Sequence, residues 1–218
     1  MAEFRWLGHS CFRIKAREAT VLTDPVDRIT GYAMQKQTAD IVTISHEHPG
    51  HINLNGVKPE YQVLRGPGEY ELHDVFITGI RTYHDTEKGA VHGYNTIYLI
   101  LVEGILICHL GDLGHPLTEE QAEAISDCDV LIVPAGGGNV LSHDAAADLI
   151  AQIEPKIVIP MQYATPNGDS NLGSLEPFAK RLGMEMTESI DKLVLKHSDL
   201  PETVRLVVLT PESDPVRR

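Results

Sequence analysis

Residues 44–53, Ile44-Ser45-His46-Glu47-His48-Pro49-Gly50-His51-Ile52-Asn53 (ISHEHPGHIN), carry three histidines directly behind the apolar run Ile41-Val42-Thr43-Ile44. That run has the β-branched composition of a buried strand. Alternate residues leaving an extended segment point the same way, so His46 and His48 can reach one ion. Pro49 stops a helix from continuing there, and His51 opens a separate turn. Exposed loop histidines with no ligand are the bland reading of a single such residue. Three of them at i, i+2 and i+5 behind a strand favour a metal site. Neutral imidazoles suit Zn, Ni, Fe or Mn.

Working outward, other polar groups sit at the same kind of position. His84 follows VFITGIRTY, Asp112 follows ILICHLG, and Gln162 follows KIVIPM. Loops at one end of a sheet are where α/β proteins usually build sites.

Strand-like runs dominate the first two thirds of the chain: FRWLG, CFRIKA, ATVLTD, ADIVTISH, YQVLRG, DVFITGIRTYH, NTIYLILVE, GILICHLGD and DVLIVPAGG. Gly, Pro, Asp or Asn separates most of them. NTIYLILVEGILICHLGD reads as a hairpin turned at Glu103-Gly104. Three helices are expected. The first follows Thr118, which makes a capping box with Gln121. The second follows Ser142 and stops at Pro155, and the third follows Ser174 and stops at Gly183. Many strands with late helices indicate a layered α/β domain with two sheets.

The chain has 218 residues, 42% of them hydrophobic, enough for a full core. No repeat, linker or low-complexity tract divides it, so residues 1–209 read as one domain. The polar, proline-bearing PESDPVRR marks 210–218 as a loose tail. The formal charge is −13, from 31 acids and 18 bases. That balance opposes a nucleic-acid binder, which needs clustered Lys and Arg. It leaves a small anionic substrate open, because a bound metal can dominate the local field. Cys11, Cys108 and Cys128 lack CxxC spacing and read as buried small hydrophobes in a reduced compartment. No signal peptide is visible, and the longest apolar run, TIYLILVEGILICHL, is interrupted by Glu103-Gly104 and too short for a bilayer. A cytoplasmic protein working on a small molecule, away from membranes, is the expectation.

WLGHSCFRI, VLTDP, HEHPGH, GPGEYE, YHD, ICHLGDLGH and IVIPMQYAT together resemble the metallo-β-lactamase superfamily, from about Phe4 to Leu209. Within it they are most similar to the Zn-dependent hydrolase branch that includes ascorbate-6-phosphate lactonase-like proteins. The resemblance implies a four-layer αββα sandwich, two mixed sheets flanked by helices, with a metal site in a cleft along one edge. It makes Asp24 an acidic residue behind the ligands. It puts His46, His48 and His84 on the ligands of a first metal, Asp112 on a carboxylate that bridges two metals, and His51 on a ligand of the second. Related lactonases assemble into oligomers, which makes a homo-oligomer an option.

Two positions depart from the family pattern. Gly50 stands where HxHxDH has its Asp, and Gln162 stands where the strand ending IPMH has its His. Both missing groups belong to the second metal. The expectation is therefore one divalent ion, Zn before Mn, Ni or Fe, held by His46, His48, His84 and Asp112. The missing Asp would also have oriented the attacking water. Proton shuttling then falls to His51, Asp85 or His115.

The leading function is a metal-dependent hydrolase of a small ester, lactone or phosphoester that uses a metal-activated water. The alternative is a degenerate member that binds a metal or small ligand without turnover. A nuclease is opposed by the acidic charge.

Weaker signals read structurally. His9 is taken as a turn former and His109 as a packed strand residue. The glycines of GPGEYE are taken as a turn, which leaves Glu69 unexplained. Gly136-Gly137-Gly138 follows a strand but lacks the Lys-Ser/Thr of a phosphate loop, so it reads as a flexible turn. YATPNGDSNLG reads as a connector.

Overall fold

Two β-sheets stack face to face in the computed structural model, which describes residues 1–168 and 171–212. The six-stranded sheet contains β1 (Ala2–Gly8), β2 (Cys11–Lys15), β3 (Thr20–Thr23), β4 (Ile41–Ile44), β5 (Gln62–Arg65) and β12 (Leu193–Leu195). Its spatial order is β12-β1-β2-β3-β4-β5. The seven-stranded sheet contains β6 (Gly68–Leu72), β7 (Val75–Tyr83), β8 (Tyr94–Val102), β9 (Ile105–His109), β10 (Val130–Pro134), β11 (Ile157–Met161) and β13 (Arg205–Leu206). Its order is β13-β11-β10-β9-β8-β7-β6.

Both sheets are mixed. β3, β4 and β5 run parallel, as do β9, β10, β11 and β13. β7 and β9 each pair antiparallel with β8, so β7 shares their direction. The loops after β7, β9, β10 and β11 therefore emerge on one edge. β8 and β9 form the expected hairpin, with Val102 opposite Ile105 and both turn residues at positive φ, Glu103 at 53° and Gly104 at 74°. Such a turn matches the right-handed strand twist.

The core between the sheets is built by Phe4, Trp6, Phe12 and Ile14 from one side and Ile77 and Tyr98 from the other, all buried. Burying each such side chain contributes about 1.5–3 kcal/mol. Tyr98 also ties the sheets together by polar contact. Its hydroxyl lies 3.0 Å from Ile44 O and 3.2 Å from Leu64 O. That contact holds the end of β4, from which the histidine segment departs.

Among the described residues three α-helices cover the seven-stranded sheet: α1 (Glu119–Ala124), α2 (His143–Ile153) and α3 (Glu176–Arg181). Both bonds of the Thr118–Gln121 capping box are present, and Ser142 Oγ accepts from Ala145 N. The α2 helix buries Ala146, Ala147, Leu149, Ile150 and Ile153 on one stripe. The outer layer on the six-stranded side contains no α-helix among the described residues. It is a long loop with single 3-10 turns at Arg28–Thr30, Pro49–His51 and Leu54–Gly56. Val26, Tyr32, Ala39 and Val57 from this loop pack on Leu7, Leu22, Val42 and Ile44.

Several local expectations need correction. GPGEYE is not only a turn, because Gly68–Leu72 pairs along β7 as β6. The short edge strands β12 and β13 were not expected, although Leu206-Val207-Val208-Leu209 is an apolar run. Ser174 does not cap α3, whose N-cap is Leu175 with no side-chain bond. Within the expected tail 210–218, Thr210 N bonds to Ile190 O and Glu212 N to Trp6 O. The rest of it, 213–218, lies outside the described residues. Among the described residues no helix is long and apolar enough to cross a membrane.

Candidate metal centre

Asp24, at the end of β3, organises the site from below. It is 1% exposed and held at φ 36°, a conformation non-glycine residues rarely adopt and that clusters at functional sites. Its Oδ1 accepts from Ser45 N at 2.7 Å, and its Oδ2 accepts from Ser45 Oγ at 2.7 Å. With that proton committed, Ser45 Oγ accepts from His46 Nδ1 at 2.9 Å. The tautomer of His46 follows: Nδ1 carries the hydrogen and Nε2 presents its lone pair to the cavity. Asp24 Oδ2 also lies 3.1 Å from His51 Nδ1, which sits 2.8 Å from Ser10 Oγ. One buried carboxylate thus aligns two imidazoles.

Asp112, behind β9, faces them. Its backbone N donates to Asn95 Oδ1 at 3.0 Å. Gly111 makes the approach available, for a Cβ there would lie 2.4 Å from Asn95 Oδ1 and 2.6 Å from Ser45 Cβ. Asp112 Oδ2 lies 3.0 Å from His84 Nε2, 3.4 Å from His51 Nε2 and 3.8 Å from His46 Nε2. His48 is more exposed, and its Nδ1 accepts from Gly50 N at 3.2 Å, which leaves Nε2 for the cavity.

The ligand atoms form three overlapping clusters, His46-His48-His51, His46-His84-Asp112 and His9-His51-Asp112, each within 4.8 Å. His46, His48, His84 and Asp112, expected as one set, are spread over two of these clusters that share His46. His51 belongs to two of the clusters, with His46 and His48 and with His9 and Asp112, and is fully buried.

Imidazole lone pairs converging on one carboxylate oxygen repel unless a proton or a cation lies among them. His51 Nε2 and Gln162 Oε1 are buried without a hydrogen-bond partner, the condition a bound ion relieves. This donor set of imidazoles and one carboxylate fits a divalent ion of the Zn type.

The electrostatics follow the same geometry. Burial pushes His51 down, but Asp112 and Asp24 outweigh it and raise it to about 10. Burial lowers His46 to about 4 despite Asp112, and lowers His9 to about 4. Burial raises Asp112, but His51, His84 and His46 together hold it well below the ordinary carboxylate value.

The cavity over these groups measures about 430 Å³, within the range for small-molecule sites. Its far wall is Gly137, Gly138, Asn139, Val140, Asn171 and Leu172. The glycine run is therefore part of the site as well as a turn. Gly136 lets β10 approach β11, since a Cβ there would lie 2.2 Å from Gln162 O.

Two of the expected proton shuttles are engaged elsewhere. The Asp85 carboxylate accepts four backbone N–H groups, from His92, Gly89, Val91 and Glu87, and these hold it at about 2. It builds the loop behind His84 and lines a neighbouring cavity. His115 Nε2 accepts from Tyr83 N and its Nδ1 donates to Pro116 O. Of the three, His51 alone lines the metal-facing cavity.

His9, taken as a turn former, does turn the chain, with φ 51° and its carbonyl accepting from Trp6 Nε1. Its ring nevertheless lines the cavity, with Nε2 3.3 Å from Gln162 Nε2. The partner lies 153 residues away in sequence, so only the LGHSC motif could have pointed to it. His109 is structural: buried, with Nε2 2.9 Å from Ser10 O.

Gly50 and Gln162 are accounted for by what surrounds them. A Cβ on Gly50 would meet Thr30 Cγ2 at 2.8 Å and His48 Nδ1 at 3.2 Å. Gln162, at φ 51°, donates from Nε2 to Asp112 Oδ1 at 2.5 Å. Its amide nitrogen fills the space between Asp112 and His9.

Comparison with known proteins agrees with this architecture. Residues 3–162 match the model of the β-lactamase superfamily domain. A UPF0173 protein of Pyrococcus abyssi is 30% identical, over 81% of this chain and 89% of its own length. A UPF0173 metal-dependent hydrolase of Lysinibacillus sphaericus is 24% identical over 75% of this chain and 86% of its own. The crystal structure of a candidate Zn-dependent hydrolase of the metallo-β-lactamase superfamily from Thermotoga maritima superposes with a TM-score of 0.80 at 34% identity, covering 96% of this chain and 98% of that one. With its sheets, edge cavity and histidine cluster, the chain belongs to the metallo-β-lactamase superfamily, in the UPF0173 family of metal-dependent hydrolases.

Proposed function

We propose that this hydrolase cleaves a small ester, lactone or phosphoester at a site with one divalent ion, Zn by preference. The observation that carries the reading is the convergence of three imidazole Nε2 atoms on Asp112 Oδ2 inside an open cavity. His46, His84 and Asp112, which form one cluster, would hold the ion, and His48 would complete the set from the cluster it shares with His46 and His51. A bound ion there supplies Lewis acidity, which polarises a carbonyl or phosphoryl oxygen and lowers the pKa of water toward about 7.

The chain's own groups do the rest. Asp24 fixes the rings of His46 and His51. Gln162 donates to Asp112 Oδ1 and so neutralises the carboxylate oxygen that would otherwise serve a second ion. His51, held by Asp24 and Ser10 and facing Asp112, is the group assigned to hold and release the proton that the reaction moves. The uncharged wall at Asn139, Val140 and Leu172 receives the substrate.

Gly50 and Gln162 also favour a second reading, a protein that binds a metal or a small ligand without turnover. Elemental analysis and a hydrolysis assay separate the two. The expected result is about one metal equivalent per chain, with hydrolysis that disappears on chelation and in His48→Ala. Metal without turnover across esters, lactones and phosphoesters would favour the second reading. Absence of metal after reconstitution with Zn, Mn, Ni and Fe would exclude the hydrolase and favour the second reading, as a binder of a small ligand.

A further inference from the structure

We infer that the substrate is an uncharged carboxylic ester or lactone and not a phosphoester, a narrowing that rests on the hydrolase reading above. Among the described residues no Lys or Arg lines the metal-facing cavity. The loop residues that line it, Gly137, Gly138, Asn139, Val140, Asn171 and Leu172, carry no charge. The adjoining cavity, which shares Gly138, Asn139 and Val140, adds two acids, Asp85 and Glu87.

The arginines near the histidine cluster lie beyond His46 in a separate cavity. Arg65 is ion-paired with Glu47, and the Arg81 guanidinium stacks 4.9 Å over the Tyr94 ring. Neither lines the space in front of Asp112.

A phosphate monoester brings two negative charges. Phosphate sites answer them with arginine forks, lysines or paired metal ions. Here one divalent ion would already be partly neutralised by Asp112, and the surrounding acids add a negative field to a chain of net charge −13. A carbonyl carries no such charge and develops a single oxyanion during reaction. Asn139 and Val140 supply the neutral polar and apolar wall that a small ester fits. In the reaction a water oxygen bonds to the carbonyl carbon. The acyl C–O bond then breaks with its electron pair on the alkoxy oxygen. That oxygen takes up the water's proton, and acid and alcohol leave.

The test uses the full-length, metal-loaded protein. Calorimetric titration with methyl phosphate and with 2-pyrrolidinone, an uncharged carbonyl compound that does not chelate, compares the two ligand charges directly. Pyrrolidinone should bind at least 10-fold more tightly. Asn139→Lys, a change at an exposed position, should tighten methyl phosphate at least 10-fold while circular dichroism stays that of the native fold. In the hydrolysis assay, the chelator-sensitive rate should be present with p-nitrophenyl acetate and absent with p-nitrophenyl phosphate and its diester. Methyl phosphate binding as tightly as pyrrolidinone, or chelator-sensitive phosphoester hydrolysis at or above the ester rate, would overturn the inference. If no compound is turned over, the hydrolase reading fails, and the two titrations still decide the charge the cavity accepts.

Discussion

The amide nitrogen of Gln162 sits between Asp112 and His9, donating to Asp112 Oδ1 at 2.5 Å and lying 3.3 Å from His9 Nε2. Gln162→His removes that donor and offers an imidazole to His9, His51 and Asp112. The metal content of the purified variant should rise from about one to about two equivalents per chain. A variant that still holds one ion would show that Gln162 does not control the count.

Asp24 aligns His51 directly and His46 through Ser45. Loss of such an outer partner typically costs about 10- to 100-fold in metal affinity. Asp24→Asn keeps the shape and removes the charge, so metal affinity, measured by competition with a chromophoric chelator, should fall by that factor. Unchanged affinity would mean that packing alone holds the two rings.

Gly50 has no room for a side chain, with Thr30 Cγ2 at 2.8 Å from a built Cβ. Overpacking of this kind costs about 1–3 kcal/mol. Gly50→Asp should lower the melting temperature, and Gly50→Asp with Thr30→Ala should recover most of the loss. Equal melting temperatures for the two variants would place the cost elsewhere.

The pH dependence of the chelator-treated protein follows from the histidines. His46 and His9 stay neutral in the fold down to about 4, against 6.5 when unfolded. Between those values the unfolded chain binds more protons, so stability rises with pH. His51 behaves oppositely, being raised from 6.5 to about 10. Its contribution is complete below 6.5 and is lost as pH climbs toward 10. Melting temperature should therefore peak near pH 6.5 and fall on both sides. In His51→Gln the decline on the alkaline side should flatten, as thermal scans at intervals of pH would show.

Much of the fold was legible because the local signals agree with one another. The β8–β9 hairpin has its turn where Glu103-Gly104 interrupts two apolar runs, and the capping box at Thr118 opens α1 as the residues dictate. β6 was hidden by the turn chemistry of its own glycines and by exposed Glu69 and Glu71. Asp85 illustrates the opposite error. Its place beside His84 suggested chemistry, but four main-chain donors claim its carboxylate.

What the sequence by itself determined is which donors exist and which strand ends deliver them: His46 and His48 by the two-residue period of an extended chain, and His84, Asp112 and Gln162 by their place after apolar runs. Only the tertiary structure decided their partnerships. His9 meets Gln162 because β11 and the turn after β1 close on the same cavity, Asp24 reaches His51 directly and His46 through buried Ser45, and a side chain on Gly50 would crowd Thr30. Strand period acts between neighbours along the chain, whereas these contacts span tens of residues and depend on how two sheets pack. The lack of Lys and Arg among the described residues of the cavity wall follows the same rule, since it emerges only where separate loops face one space.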